Sequence, residues 1–414
     1  MARNPGKGAG TRAGVGAVGG MATTAGPAAR ASGRMHVMAG LFAGVGGLER
    51  GLQSAGHESA LLCENDPAAT AVLRSRFPDI AFHNDVCTLR QLPAETTLLA
   101  AGFPCQDLSQ AGKTLGIAGA RSGLVGEVFR LIERHKTPWV LLENVPFMLQ
   151  LGRGEAMNVI TTTLEALNYR WAYRVVDTRS FGLPQRRRRV YLVASLHDDP
   201  RGVLFADEAG PVDAAADSGD EVAFGFYWTE GTRGLGWAVD AVPTLKGGSS
   251  LGIPSSPAIL LANGEIVTPN IRDAERLQGF PADWTQPAEE VAKKGQRWKL
   301  VGNAVSVPVA KWIGRRLQEP GRVLEFDTAP LTGHTWPSAA WNVGEGRFKV
   351  FASEWPVRRK HQSLQSFLRF PTAPLSAKAT AGFLRRAEVA PLIFADGFLD
   401  AIRAHLKRMD RALS

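Results

Sequence analysis

The 414-residue chain carries 48 Lys plus Arg against 39 Asp plus Glu, a formal charge of +9 that suits a polyanionic partner. No apolar stretch reaches membrane-spanning length, which argues against an integral membrane protein. The cysteines, Cys63, Cys87 and Cys105, show no paired metal-ligand spacing, so no metal site is expected and the usage fits a reducing cytoplasm.

Residues 1–34 are dominated by Gly, Ala, Thr and Arg and are expected to be disordered, with Met21 and Met35 as alternative starts. His36 to Leu41 reads as a first strand. Phe42-Ala43-Gly44-Val45-Gly46-Gly47 follows as a turn into a helix from about Leu48, and its glycine spacing is not that of dinucleotide enzymes. About two dozen residues later a second strand ends in Leu61-Leu62-Cys63-Glu64-Asn65-Asp66, where an acidic side chain suits the two ribose hydroxyls of a nucleoside cofactor. Asp66, preceding Pro67, reads as a helix cap. For Asp85, in His83-Asn84-Asp85-Val86 after a third short strand, the cap reading is set aside in favour of a ligand contact.

Thr97 to Ala101 forms a buried strand that runs into Gly102-Phe103-Pro104-Cys105-Gln106. This places a thiol where ligands bind in open α/β sheets, and a thiol there can be a nucleophile. A loop rich in Gly and Ser follows, from Asp107 to Gly126. Pro138 to Leu142 reads as a neighbouring strand ending in Glu143-Asn144-Val145-Pro146, which brings a carboxylate to the corresponding end. Gln185-Arg186-Arg187-Arg188-Arg189 runs into the strand Val190 to Ala194, and strand alternation puts Arg187 and Arg189 on one face and Arg186 and Arg188 on the other.

Asp207 to Glu221 is an acidic, Ala-rich linker, and Phe224 to Asn263 holds Gly, Ser, Trp and short β-prone pieces, among them Pro243-Thr244-Leu245-Lys246-Gly247-Gly248. Arg272 to Pro281 begins as a helix and turns at Gly279. Gly302-Asn303-Ala304-Val305 leads into a helix reaching Leu317. In the remainder, Gly321 to Ser414, Ile393 to Met409 has amphipathic helical spacing.

The turn at Phe42–Gly47, the Cys105 segment, Glu143–Pro146, the Gln185–Arg189 run and Gly302–Val305, in that order, resemble the cytosine-C5 DNA methyltransferase family over roughly residues 35–315. The resemblance implies a doubly wound, Rossmann-like α/β domain dependent on S-adenosylmethionine at 35–195. A smaller target-recognition region at 196–270 and an interdomain element at 271–320 follow, and the role of 321–414 stays open. Cys105 would add to C6 of cytosine, Glu143 would hold N3 and the exocyclic amine, and Arg187 would face the carbonyl side, with Arg189 supporting. Phe42, Gly44, Gly46, Gly47, Glu64, Asn65, Asp85, Val86, Pro104, Asn303 and Val305 would form the cofactor site. Gln106, Ser109, Arg121, Arg189, Arg233, Thr244 and Lys246 would contact double-stranded DNA. A monomer acting in the bacterial cytoplasm is expected, with a cognate restriction endonuclease as a partner that this chain cannot show. The related tRNA methyltransferases carry a Cys-Phe-Thr in the target region that is absent here.

Overall fold

The computed structural model describes residues 33–104, 123–210, 222–248 and 256–411. Cys105, Gln106, Ser109 and Arg121 therefore lie outside the described residues, as do nearly all of the N-terminal segment and most of the acidic linker.

Strands are numbered in chain order. The first six are β1 (Val37–Leu41), β2 (Glu58–Cys63), β3 (Ala81–His83), β4 (Leu98–Ala101), β5 (Trp139–Asn144) and β6 (Arg170–Asp177). They are followed by β7 (Gln185–Arg186), β8 (Arg188–Ser195), β9 (Phe224–Phe226), β10 (Trp237–Val239), β11 (Val242–Pro243), β12 (Ala258–Leu260) and β13 (Ile266–Thr268). The last four are β14 (Thr328–Pro330), β15 (Ala339–Asn342), β16 (Phe348–Val350) and β17 (Ala373–Pro374).

Ten strands form one sheet in the order β14-β16-β15-β6-β8-β5-β4-β1-β2-β3. From β3 to β5 the pairs are parallel, whereas β8 is antiparallel to both β5 and β6. Both faces are covered, so the central strands read as continuous apolar runs in which alternate residues serve opposite layers. Leu99, Ala101, Val140 and Leu142 pack with Val128 and Ile132 of the helix Leu124–His135 and with Met157 and Ile160 of Glu155–Ala166. Met38, Leu98, Ala100 and Leu141 pack on the other side with Leu48 and Leu52 of the helix Gly47–Gln53 and with Val309 and Ile313 of Val307–Gln318. The fold is the expected doubly wound α/β class. Its chain order reverses at β1, between β2 and β4, which opens a crevice at the carboxyl ends of these strands.

A second sheet has five strands in the order β10-β9-β12-β13-β17, and β7 and β11 form a short parallel pair that links the arginine segment to it. Residues beyond 320 do not form a unit of their own. They add β14, β15 and β16 to the edge of the large sheet, with β15 antiparallel to β6. They also add β17 to the small sheet and cover one of its faces, where Phe383 and Phe398 pack on Phe226. The expected amphipathic helix is present at Phe398–Arg411, and it starts after a left-handed Gly397 rather than at Ile393, which is exposed.

Candidate active site

Strand register assembles the site. Ala101 of β4 lies beside Leu142 of β5, so Gly102 comes level with Glu143, and a Cβ on Gly102 would stand 3.5 Å from Glu143 Oε2. Asn144 ties the two strand ends together, donating from Nδ2 to the Phe103 carbonyl at 3.0 Å while its Oδ1 accepts from Val145 N at 2.8 Å.

Glu143 is 8% exposed, and burial raises its pKa against the opposing pull of Arg189 and Arg187. Arg189 Nε lies 3.1 Å from Glu143 Oε1 as an ion pair, yet that oxygen accepts no hydrogen bond. Arg187 and Arg189 are both buried while Arg186 and Arg188 are exposed, as alternation predicts. Their geometry departs from the expected division of labour. Arg187 donates from Nη1 to the carbonyls of Leu245 at 3.1 Å and Gly302 at 3.2 Å, and from Nη2 to that of Ala304 at 2.6 Å. Desolvation, reinforced by Arg189, pulls its pKa down to about 9. The arginine paired with the carboxylate is thus Arg189, while Arg187 joins two backbone segments, at Leu245 and at Gly302–Ala304. Periodicity could place both on one face but could not say which reached farther.

A cleft of about 480 Å³ connects this pair with the glycine-rich turn. It is also lined by Phe42, Gly44, Glu64, Asn65, Pro104 and Asn303. Glu64 Oε2 accepts from Gly44 N at 2.7 Å, and Oε1 accepts from Asn65 N at 2.9 Å and Asp66 N at 2.8 Å. Gly44 has φ +56°, and a Cβ placed there would meet nothing within 4 Å, so open space adjoins the turn. A fixed carboxylate beside open space fits a ligand carrying vicinal hydroxyls, as the ribose of S-adenosylmethionine does.

Five residues expected to line this cofactor site do not line the cleft. A Cβ on Gly46 would strike the Phe77 ring at 2.5 Å, and one on Gly47 would strike the Val305 carbonyl oxygen at 2.5 Å, so both glycines serve close packing. Val86 is part of the core. Asp85 makes the turn-capping bond that was set aside for it, Oδ1 accepting from Cys87 N at 2.9 Å. Val305 also lies outside the lining but reaches to 3.9 Å from a Cβ position on Gly102. Asp66 caps the helix Pro67–Arg76 as read, through Ala68 N and Ala69 N. Gly102, Leu124 and Leu300 line the cleft without having been singled out. They carried no signal beyond ordinary apolar or turn character.

The segment expected to read the target is tied to the arginines. Thr244 Oγ1 donates to the Arg186 carbonyl at 2.8 Å, and Lys246 Nζ lies 3.3 Å from Glu230 Oε1 and 4.0 Å from the centre of the Tyr227 ring. Arg233 is exposed in a turn of the small sheet. Among the described residues no group of three or more His, Cys, Asp and Glu side chains is placed to hold a metal ion. Nor is any described helix long and apolar enough to cross a membrane.

The sequence model of the family described as C-5 cytosine-specific DNA methylase matches residues 37–211 and 263–319, passing over most of the small-sheet segment. Type II methyltransferase M2.BsuMI of Bacillus subtilis (strain 168) is 50% identical over 377 residues, covering 87% of this chain and 96% of that protein. Type II methyltransferase M.MspI of Moraxella sp is 30% identical over 295 residues, covering 67% of this chain and 69% of that protein. Type II methyltransferase M.HaeII of Haemophilus aegyptius is 30% identical over 300 residues, covering 66% and 90% respectively.

Proposed function

The chain belongs to the C-5 cytosine-specific DNA methylase family, and from that membership we propose that it methylates C5 of a cytosine extruded from a specific duplex DNA sequence, using S-adenosylmethionine and a covalent adduct through Cys105. The observation that carries this reading is the buried Glu143 carboxyl. It has one oxygen lacking a donor, Arg189 beside it, and an open route to the Glu64 side of the same cleft.

Cytosine C5 is too weak a nucleophile to take a methyl group unaided, and addition of a thiolate to C6 makes it enamine-like. Cys105, three residues beyond Gly102, is the nucleophile in this scheme. Negative charge then moves toward N3 and O2, where an acid and a cation lower the barrier. Glu143, biased toward its protonated form by burial, meets N3 and the exocyclic amine. Arg189 meets the carbonyl side in this scheme, in the role the family resemblance implied for Arg187, a reading supported by its pairing with Glu143. Loss of the C5 proton and β-elimination of the Cys105 thiolate complete the turnover. Bound at Glu64, S-adenosylmethionine would supply an electrophilic sulfonium methyl.

Because the reacting atoms are inaccessible within the stack, the target base leaves the duplex at a cost of a few kcal/mol, least when it is mispaired. Sequence choice is assigned to residues 224–263, where Thr244 bonds the Arg186 carbonyl and the Leu245 carbonyl holds Arg187. The enzyme is read as the modification half of a restriction–modification pair.

The test combines two measurements. Bisulfite sequencing of host DNA with and without the gene should show methylated cytosine in one sequence context, and 5-fluorocytosine at that site should trap an adduct on the wild type but not on Cys105→Ser. Full turnover by Cys105→Ser would end the covalent scheme.

A further inference from the structure

Beside the catalytic cleft lies a second recess of about 450 Å³, lined by Pro146, Arg186, Arg188, Arg189 and Thr244. It contains three arginines and no acidic lining residue, which is the charge pattern of a polyanion contact. Arg188, in the row that alternates away from the cleft, has its side chain 51% exposed. It is nevertheless occupied, because Glu354 grips its guanidinium through both Nε and Nη2.

Glu354 lies past residue 319, where the family match ends. Its position is set by the backbone: Asp177 is the register partner of Arg188 in the β6–β8 ladder, and Asp177 N donates to the Glu354 carbonyl at 2.9 Å. The edge of the large sheet therefore delivers a carboxylate to an arginine at the rim of an otherwise basic recess. An exposed ion pair of this kind contributes little to folding, since water and salt screen it. Its consequence for a polyanion is larger, because a phosphate must displace a tethered carboxylate as well as mobile counterions.

We propose that Arg188 is a DNA-phosphate contact and that Glu354 is its resident competitor, so that the C-terminal segment sets how tightly the chain holds DNA of any sequence. The proposal rests on the reading that duplex DNA is the substrate. Glu354→Gln keeps the shape and removes the charge, which releases Arg188 to phosphate.

The experiment titrates the full-length chain against a short fluorescent duplex lacking the target sequence, over a range of salt, with Glu354→Gln, Arg188→Gln and the double variant alongside. Glu354→Gln should bind about 1.5- to 5-fold more tightly at low salt. Its plot of log K against log salt should steepen by about 0.9, one added phosphate contact. The gain should vanish in the Arg188→Gln background. If wild type binds but Glu354→Gln matches it in affinity and slope, or if the gain survives Arg188→Gln, the inference is overturned. Failure of the wild type to bind any duplex would instead overturn the substrate reading on which it stands.

Discussion

Two buried carboxyls near the glycine-rich turn differ in what they face, and the difference is testable. Glu143 has Arg189, whereas Glu49, 1% exposed behind Gly40, has no hydrogen-bond partner for either oxygen. Desolvation, with a smaller push from Glu64, raises the Glu49 pKa from 4.5 to about 8. Between those values the unfolded chain gives up this proton and the folded chain keeps it. Folding stability should therefore fall as pH rises through that window, by at most about 1.4 kcal/mol per pH unit, and level off above it. Glu49→Gln should flatten this slope, which denaturant titrations at intervals from about pH 5 to pH 8 would reveal. Parallel profiles for the two proteins would refute it. The arginine pair offers a second contrast. Arg187→Ala strips donors from three backbone carbonyls and should cost about 1–3 kcal/mol of stability. Arg189→Ala should spare the melting temperature and lose turnover at saturating DNA. Equal melting temperatures for the two variants would show that Arg187 is not the joint it is taken to be. Calorimetry separates the two lobes of the cleft: Glu64→Ala should weaken S-adenosylmethionine binding by about 1–3 kcal/mol, and Glu143→Gln should leave it unchanged.

At the scale of elements, glycines set the spacing between catalytic and target segments. The helix Gly47–Gln53 lies so close to Val307–Gln318 that a Cβ on Gly51 would come within 2.4 Å of Ala310 Cβ. Gly302 is tighter still, since a Cβ there would lie 2.0 Å from the Lys246 carbonyl carbon. Gly302→Ala must push the helix Gln296–Asn303 away from the target segment, an overpacking cost of about 1–3 kcal/mol. The same shift disturbs the Leu245 and Gly302 carbonyls that hold Arg187. Melting temperature and methylation rate should fall together, and a variant that lost neither would show that the segments separate freely. Sequence patterning singled out Gly44, Gly47 and Gly302 but not Gly51, and it did not distinguish a glycine beside open space, such as Gly44, from one that admits a neighbouring backbone, such as Gly47. Both are absences of a side chain.

For the whole molecule, the decisive feature is the path of residues beyond 320. Reading the family resemblance alone, truncation there would be expected to change affinity or stability without altering sequence choice. The structure makes that segment structural in both sheets. Trp336 and Ala340 belong to one core layer and Trp341 and Val350 to the other, while Leu364, Phe367, Phe383 and Phe398 pack beneath the small sheet. Removing it exposes all of these partners at once. The truncated chain should fail to fold cooperatively, judged by loss of the thermal transition. A sharp transition in that truncation would mean the added strands are dispensable. An exchange of residues 224–263 with a relative has the same dependence, because Phe226, Ala258 and Leu260 face the C-terminal helices. Such an exchange should redirect methylation only when residues 373–411 travel with it.

Much of the chemistry was legible from one dimension. The order of the strand-end motifs carries the reaction class, and apolar runs of strand length carry the parallel core, because buried strands and strand-end residues are local properties of a segment. Alternation alone separated Arg187 and Arg189 from Arg186 and Arg188. Tertiary structure decided the arginine and glycine contacts, because there the deciding partner is remote in the chain. Arg187 is held by carbonyls 58 to 117 residues away, Arg188 by Glu354 at a separation of 166, and Gly47 by the Val305 backbone. No local periodicity encodes which distant backbone arrives at a given side chain, and only the closed fold brings them together.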